Sequence, residues 1–142
     1  MAVAKLVLEY DYDFDLFGVI SAAKDYKLAW IINNELNIQL ARERDLVFQL
    51  PRQGKMRIAN FIFETDYSTL RLFKNKSVEF ENVSKPYLVP ELKEYDYLFQ
   101  YEGESDTFSN DELLEHLQRQ SQIQYVKTID VENLPSRENL IC

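Results

Sequence analysis

Tyr95-Asp96-Tyr97-Leu98-Phe99-Gln100-Tyr101-Glu102, then Phe108-Ser109-Asn110-Asp111-Glu112-Leu113-Leu114, is the stretch whose reading decides the fold class. Aromatic side chains at 95, 97, 99 and 101 alternate with Asp96, Leu98, Gln100 and Glu102, which is the period of a β-strand carrying an aromatic ladder on one face. Ser109 and Glu112 then have the spacing of a capping box, with Phe108 and Leu113 at the positions of a hydrophobic staple. A helix should begin at Asn110 and bury Leu113, Leu114 and Leu117. A further strand, Tyr125 to Val131, follows a tight connection.

Working outward, the N-terminal half repeats this order. Apolar residues fall on even positions from Leu6 to Leu16 and carboxylates on Glu9, Asp11, Asp13 and Asp15, so this segment reads as a strand with an acidic wet face, continuing extended to Ile20. Ser21 is the expected N-cap of a helix over Ala22 to Asn37, with Leu28, Ile31, Ile32 and Leu36 as its buried stripe. Between the halves, Leu46 to Leu50, Met56 to Glu64 and Thr69 to Lys74 read as an antiparallel meander. Residues 75–90 form a long connection with a short edge strand at Val78 to Phe80. The expectation is a single α+β domain over 1–142. It has an antiparallel-rich sheet of five to six strands, two helices on one face, and a ferredoxin-like or ACT-like βαβ-β-β-βαβ order.

Composition narrows the chemistry. The 142 residues are 46% hydrophobic and 13% aromatic, which excludes a disordered chain. One His and one Cys, His116 and Cys142, supply neither a zinc ligand set nor a redox pair. Gly18, Gly54 and Gly103 stand alone, so no glycine-rich phosphate cradle exists, and no cofactor is expected. Asp11-x-Asp13-x-Asp15 lacks the Gly and Glu of a calcium loop, having Leu16 and Ala22 there, and no metal site is expected. Off the leucine stripe, beside Glu112 and Glu115, His116 reads as a solvated surface side chain.

The net charge of −8 opposes general binding of nucleic acid. The one basic stretch, residues 42–76, has eight basic and four acidic groups, against five and fourteen in residues 77–142. Basic strands neutralising acidic neighbours within the sheet is the favoured account of that imbalance. No apolar run is long enough to span a membrane and Met1 to Lys5 lead straight into the first alternating segment, so a cytoplasmic protein is expected.

Val89-Pro90-Glu91-Leu92-Lys93-Glu94-Tyr95-Asp96-Tyr97 resembles the signature of the IPExxxVDY family, bacterial proteins of about this size without an assigned activity. Pro90, Glu91, Asp96 and Tyr97 match as they stand, with Val89 in place of Ile and Tyr95 in place of Val. Asp25-Tyr26-Lys27-Leu28-Ala29-Trp30 and Ser136-Arg137-Glu138-Asn139-Leu140-Ile141 also agree with it. The resemblance implies a name and no catalytic residue. Physically, Pro90 suits a strand entry, and Glu91 can accept N–H groups of the following turn or pair with a base of the middle segment. The motif is therefore expected to lock the long loop, with Pro90, Glu91, Asp96 and Tyr97 as the candidate binding residues if it is a contact site instead.

The function expected from all this is a non-enzymatic protein-interaction or small regulatory module. Its partner is an unidentified protein, a homodimer through sheet edges or the aromatic ladder being one form. The first alternative is a metal-independent enzyme using carboxylate, Tyr or Lys acid–base chemistry. The second is RNA contact through the 42–76 strands, which requires Phe48, Phe61, Phe63 and Phe73 to lie exposed among Arg57 and Arg71.

Overall fold

The computed structural model describes residues 13–50, 54–80, 86–103 and 108–141. Its strands are β1 (Asp15–Ile20), β2 (Ala41–Arg42), β3 (Leu46–Leu50), β4 (Gly54–Ile58), β5 (Asn60–Glu64), β6 (Ser68–Lys74), β7 (Glu79–Phe80), β8 (Tyr97–Gly103) and β9 (Tyr125–Ile129). The helices are α1 (Asp25–Leu36) and α2 (Asn110–Gln118), with 3-10 turns at Pro90–Leu92, Val131–Asn133 and Arg137–Leu140. The expected strand from Leu6 lies outside the described residues up to Tyr12.

The fold is α+β with a six-stranded sheet ordered β2-β5-β6-β8-β1-β9, every neighbouring pair antiparallel. The expected ferredoxin-like βαβ-β-β-βαβ order is not what forms: Leu46–Leu50, which should have closed the first βαβ unit, lies in a separate sheet. β8 and β9, joined by α2, run parallel to each other with β1 between them, antiparallel to both. The two helices do share one face, as expected. Leu28, Ala29, Ile32 and Leu36 of α1 and Leu113 and Leu117 of α2 pack on Phe17, Val19, Leu70, Leu72, Tyr97, Phe99 and Tyr101. Tyr97, Phe99 and Tyr101 of the expected aromatic ladder are thus core, with Phe17 and Phe99 rings 6.3 Å apart, whereas Tyr95 lies before β8 and packs on the opposite face.

The opposite face is covered as well: β1 is buried on both sides from Leu16 to Val19, beyond the carboxylates expected on a wet face, of which Asp13 is exposed and Asp15 half-buried while Glu9 and Asp11 lie outside the described residues. Leu16, Phe73 and Leu98 lie under Leu88, Val89, Leu92, Tyr95, Val131, Leu134 and Leu140, all from 3-10 turns or extended segments, and under Ile58 of a second sheet. That sheet, β3-β4-β7, arises because the expected single strand Met56 to Glu64 divides at buried Ala59. Its first half pairs with β3 and β7, its second with β2 and β6.

Local signals explain the helix ends. Ser109 Oγ accepts the Glu112 N–H at 3.2 Å, so α2 starts where the capping pattern placed it. Ser21 does not cap α1, which begins at Asp25 with Lys24 as an N-cap that makes no side-chain bond. Ser21 Oγ instead donates to Gln122 O and accepts from Ala23 N. Asn37 closes α1 in the left-handed region at φ 55°, a conformation Asn tolerates better than most residues.

Candidate functional site

The motif segment enters β8 along the irregular face. Pro90 occupies the first turn of a 3-10 helix, where its missing N–H leaves no bond unmade. Glu91 is exposed, and its two oxygens accept the N–H and hydroxyl of Ser136 at 2.5 and 3.0 Å. Its partner is therefore neither the following turn nor a base, but a segment 45 residues later in the chain. Asp96 Oδ2 accepts the Ser21 N–H at 2.9 Å, and the Asp96 N–H donates to Val19 O. Tyr97 is buried beneath the helices and its hydroxyl donates to Ala23 O at 2.6 Å. Burial, with Asp25 and Asp96 nearby, pushes the Tyr97 phenol up to about 12.

Tyr95 adds a steric tie. Its ring lies where a Cβ on Gly18 would be, 2.6 Å from the nearest ring carbon, so only glycine fits beneath it. The ring stacks on Tyr125 at 6.4 Å, and burial raises the Tyr95 phenol above its ordinary value, with Tyr125 and Glu94 adding to the rise.

Asn75, read from the sequence only as the start of a loop, is the centre of this seam. It is fully buried. Its Nδ2 donates to Leu92 O and Tyr95 O at 2.9 and 3.2 Å, its Oδ1 accepts the Val89 N–H at 3.0 Å, and its own carbonyl accepts the Leu88 N–H. Asn139 Nδ2 donates to Leu88 O, and Gln100 Nε2 to Leu140 O. Two of the segments carrying the family resemblance, 89–97 and 136–141, are joined here, and Tyr97 reaches Ala23 just before the third. Apart from the Glu91–Ser136 hydroxyl bond, these polar side chains are spent on the chain's own backbone, so the arrangement holds the loop.

Two surface features remain. On the outward side of α1, Tyr26 is 63% and Trp30 59% exposed, one helical turn apart. The Lys27 ammonium lies 4.6 Å from the centre of the Trp30 ring. A depression of about 330 Å³ beside them is lined by Trp30, Ile31, Asn34, Glu35 and Gln120. At its margin His116 is not the solvated side chain expected. Its Nδ1 bonds Glu35 Oε2 at 2.5 Å across the two helices, both side chains about a quarter exposed. That bond holds the Glu35 carboxyl below its usual range, against desolvation. No sequence signal pairs residues 81 positions apart.

The second feature is a depression of about 470 Å³ where Asp13, Glu64, Asp66 and Glu102 gather around Thr65 to Thr69 and Gly103, with no basic side chain among the described residues of its lining. Within the strand registers no two carboxylates are opposed, since Asp15 faces Tyr101 and Glu102 faces Thr69. Among the described residues, no group of three His, Cys, Asp or Glu side chains is placed to hold a metal ion. Asp11 of the Asp-x-Asp-x-Asp pattern lies outside them. Of the four phenylalanines an RNA surface would require, Phe61 and Phe73 are buried and Phe48 and Phe63 half-buried.

No described helix is long and apolar enough to cross a membrane. No protein-family model matches the chain, and no curated protein matches it.

Proposed function

We propose that the protein is a cytoplasmic, non-enzymatic binding module related to the IPExxxVDY proteins, and that it meets a protein partner through the outward face of α1. The observation that carries this reading is the exposure of its sole tryptophan, beside Tyr26 and a depression floored by Ile31. Trp and Tyr are the side chains most enriched where proteins anchor one another, and a stable monomer gains little by leaving both in water. The candidate residues Pro90, Glu91, Asp96 and Tyr97 act in this reading as the lock that fixes β8 beneath the helices. The kinship is supported by the joining of its matching segments at one seam.

Extract from the protein's own cells, passed over immobilised wild type, Trp30→Ala and Glu35→Gln, tests the reading. A stoichiometric partner held by wild type and Glu35→Gln and lost by Trp30→Ala is the expected result. A partner retained equally by Trp30→Ala refutes the α1 surface. The enzyme alternative has one observation in its favour, the depression ringed by Asp13, Glu64, Asp66 and Glu102, and predicts no dependence on Trp30 at all.

A further inference from the structure

Each sheet ends in strands whose outer edge bonds to no other described strand. β2 and β7 are two residues long, too short to template another strand. β9 and β3 have five each. They differ in charge. The middle of β9 is Lys127, exposed, and an edge lysine opposes pairing with another strand. β3 reads Leu46-Val47-Phe48-Gln49-Leu50, with no charge, proline or glycine, and Val47 is 51% exposed. By the rules that natural edges follow, this one is unguarded.

We propose that β3 is a self-association edge, pairing antiparallel with β3 of a second copy across a two-fold axis so that two three-stranded sheets become one of six. This goes beyond the α1 reading and does not rest on it. Two-fold pairing that uses all five residues sets Phe48 opposite its own copy, Leu46 opposite the partner's Leu50, and Val47 opposite the partner's Gln49. No charge meets its like. The same operation on β9 would set Lys127 against Lys127, a destabilising contact.

The inward side chains support the same occupant. Leu46 and Phe48 pack on the second core yet remain half-buried, as does Leu50, so the core rim is incomplete along this edge. A second β3 would continue that apolar row across the axis. Next to Val47 and Gln49 on the outward face stand Arg57 and Lys55 of β4. Their counterparts on the other copy lie three strand spacings away, ~14 Å. At physiological salt that exceeds the screening length, so their repulsion weakens the dimer without preventing it. Five paired residues make a small contact, which belongs with weak, concentration-dependent association.

Sedimentation velocity on the full chain from about 1 μM to about 1 mM gives the test. The expected result is a monomer–dimer equilibrium that tightens as salt rises. Val47→Lys should raise the dimer Kd about tenfold or more, and Gln49→Glu added to Val47→Lys should recover most of the loss, because 47 and 49 meet across the axis. Should Val47→Lys fail to fold, Gln49→Lys makes the same test from an exposed position. A monomer at every concentration overturns the proposal, as does a dimer indifferent to both substitutions. So does a β3 edge that instead takes up an acidic extended peptide, with binding that weakens as salt rises.

Discussion

The two faces of the six-stranded sheet solve the same problem by different means. On one, α1 and α2 cover Phe17, Val19 and Phe99, and the helices satisfy their own backbones internally. On the other, Leu16, Phe73 and Leu98 are covered by 3-10 turns and extended chain, whose backbone groups need partners supplied one at a time. Asn75, Gln100, Asn139 and Glu91 supply them. A helical cover needs the right apolar spacing, whereas an irregular cover needs particular polar side chains at particular places.

The sharpest way to break this contrast is Asn75→Leu, which keeps the forked shape and heavy-atom count and removes every hydrogen bond of the side chain. Leaving Tyr95 O and the Val89 N–H unpaired in a dry site, and Leu92 O with only the Tyr95 N–H as donor, should destabilise the protein by about 3–5 kcal/mol. Its melting temperature should fall by ~10 °C or more, since ~1 kcal/mol moves a domain this size by roughly 3–5 °C. A calorimetric scan showing no more than a surface-like change would mean that apolar packing alone holds the irregular face.

Tyr97→Phe asks how far the helical face also depends on a hydroxyl. Losing the bond to Ala23 O should cost about 1 kcal/mol at neutral pH. The pH dependence has a definite sign. With the folded phenol at about 12 and the unfolded one near ~10, the contribution is intact below pH ~10 and is lost as pH rises toward 12. Denaturant titrations across that window should show wild type losing on the order of 2–3 kcal/mol that Tyr97→Phe does not lose.

Glu91→Ala should have the smallest effect. Its bonds to Ser136 are solvent-exposed, so about 0.5–1.5 kcal/mol is expected in place of the larger loss a buried carboxylate would bring. Hydrogen exchange gives the specific readout. The Ser136 amide should lose protection while the Phe99 amide keeps it, and equal loss at both would show that the seam and the sheet open together.

The helical face was largely legible in the sequence. Leu28, Ile31, Ile32 and Leu36 lie buried at their helical spacing, and α2 begins at Asn110, where the cap and staple pattern put it. The irregular face was not. Side-chain periodicity states which residues point the same way and not which strand becomes a neighbour, so β1 between β8 and β9 carried no local signature. The division at Ala59 involves neither proline nor glycine and is decided by the strands on either side. Asn75 looked like the first residue of a loop, because its three backbone partners lie 14 to 20 positions ahead. Glu91 was recognised as a clamp, but its partner Ser136 could not be found from spacing.

The position of β1 also bears on how the protein is made. Its hydrogen-bonding neighbours are Tyr97–Gly103 and Tyr125–Ile129, so a ribosome delivers β1 long before either partner exists. At ~5–20 residues per second, translation of the intervening chain takes roughly 4–20 s, during which Leu16, Phe17 and Val19 have no sheet to enter. The nascent chain can assemble α1 and the hairpins around β4 to β6 in that interval, but the sheet closes only with its last strand. Any stall before β8 therefore leaves an apolar strand without either of its neighbours.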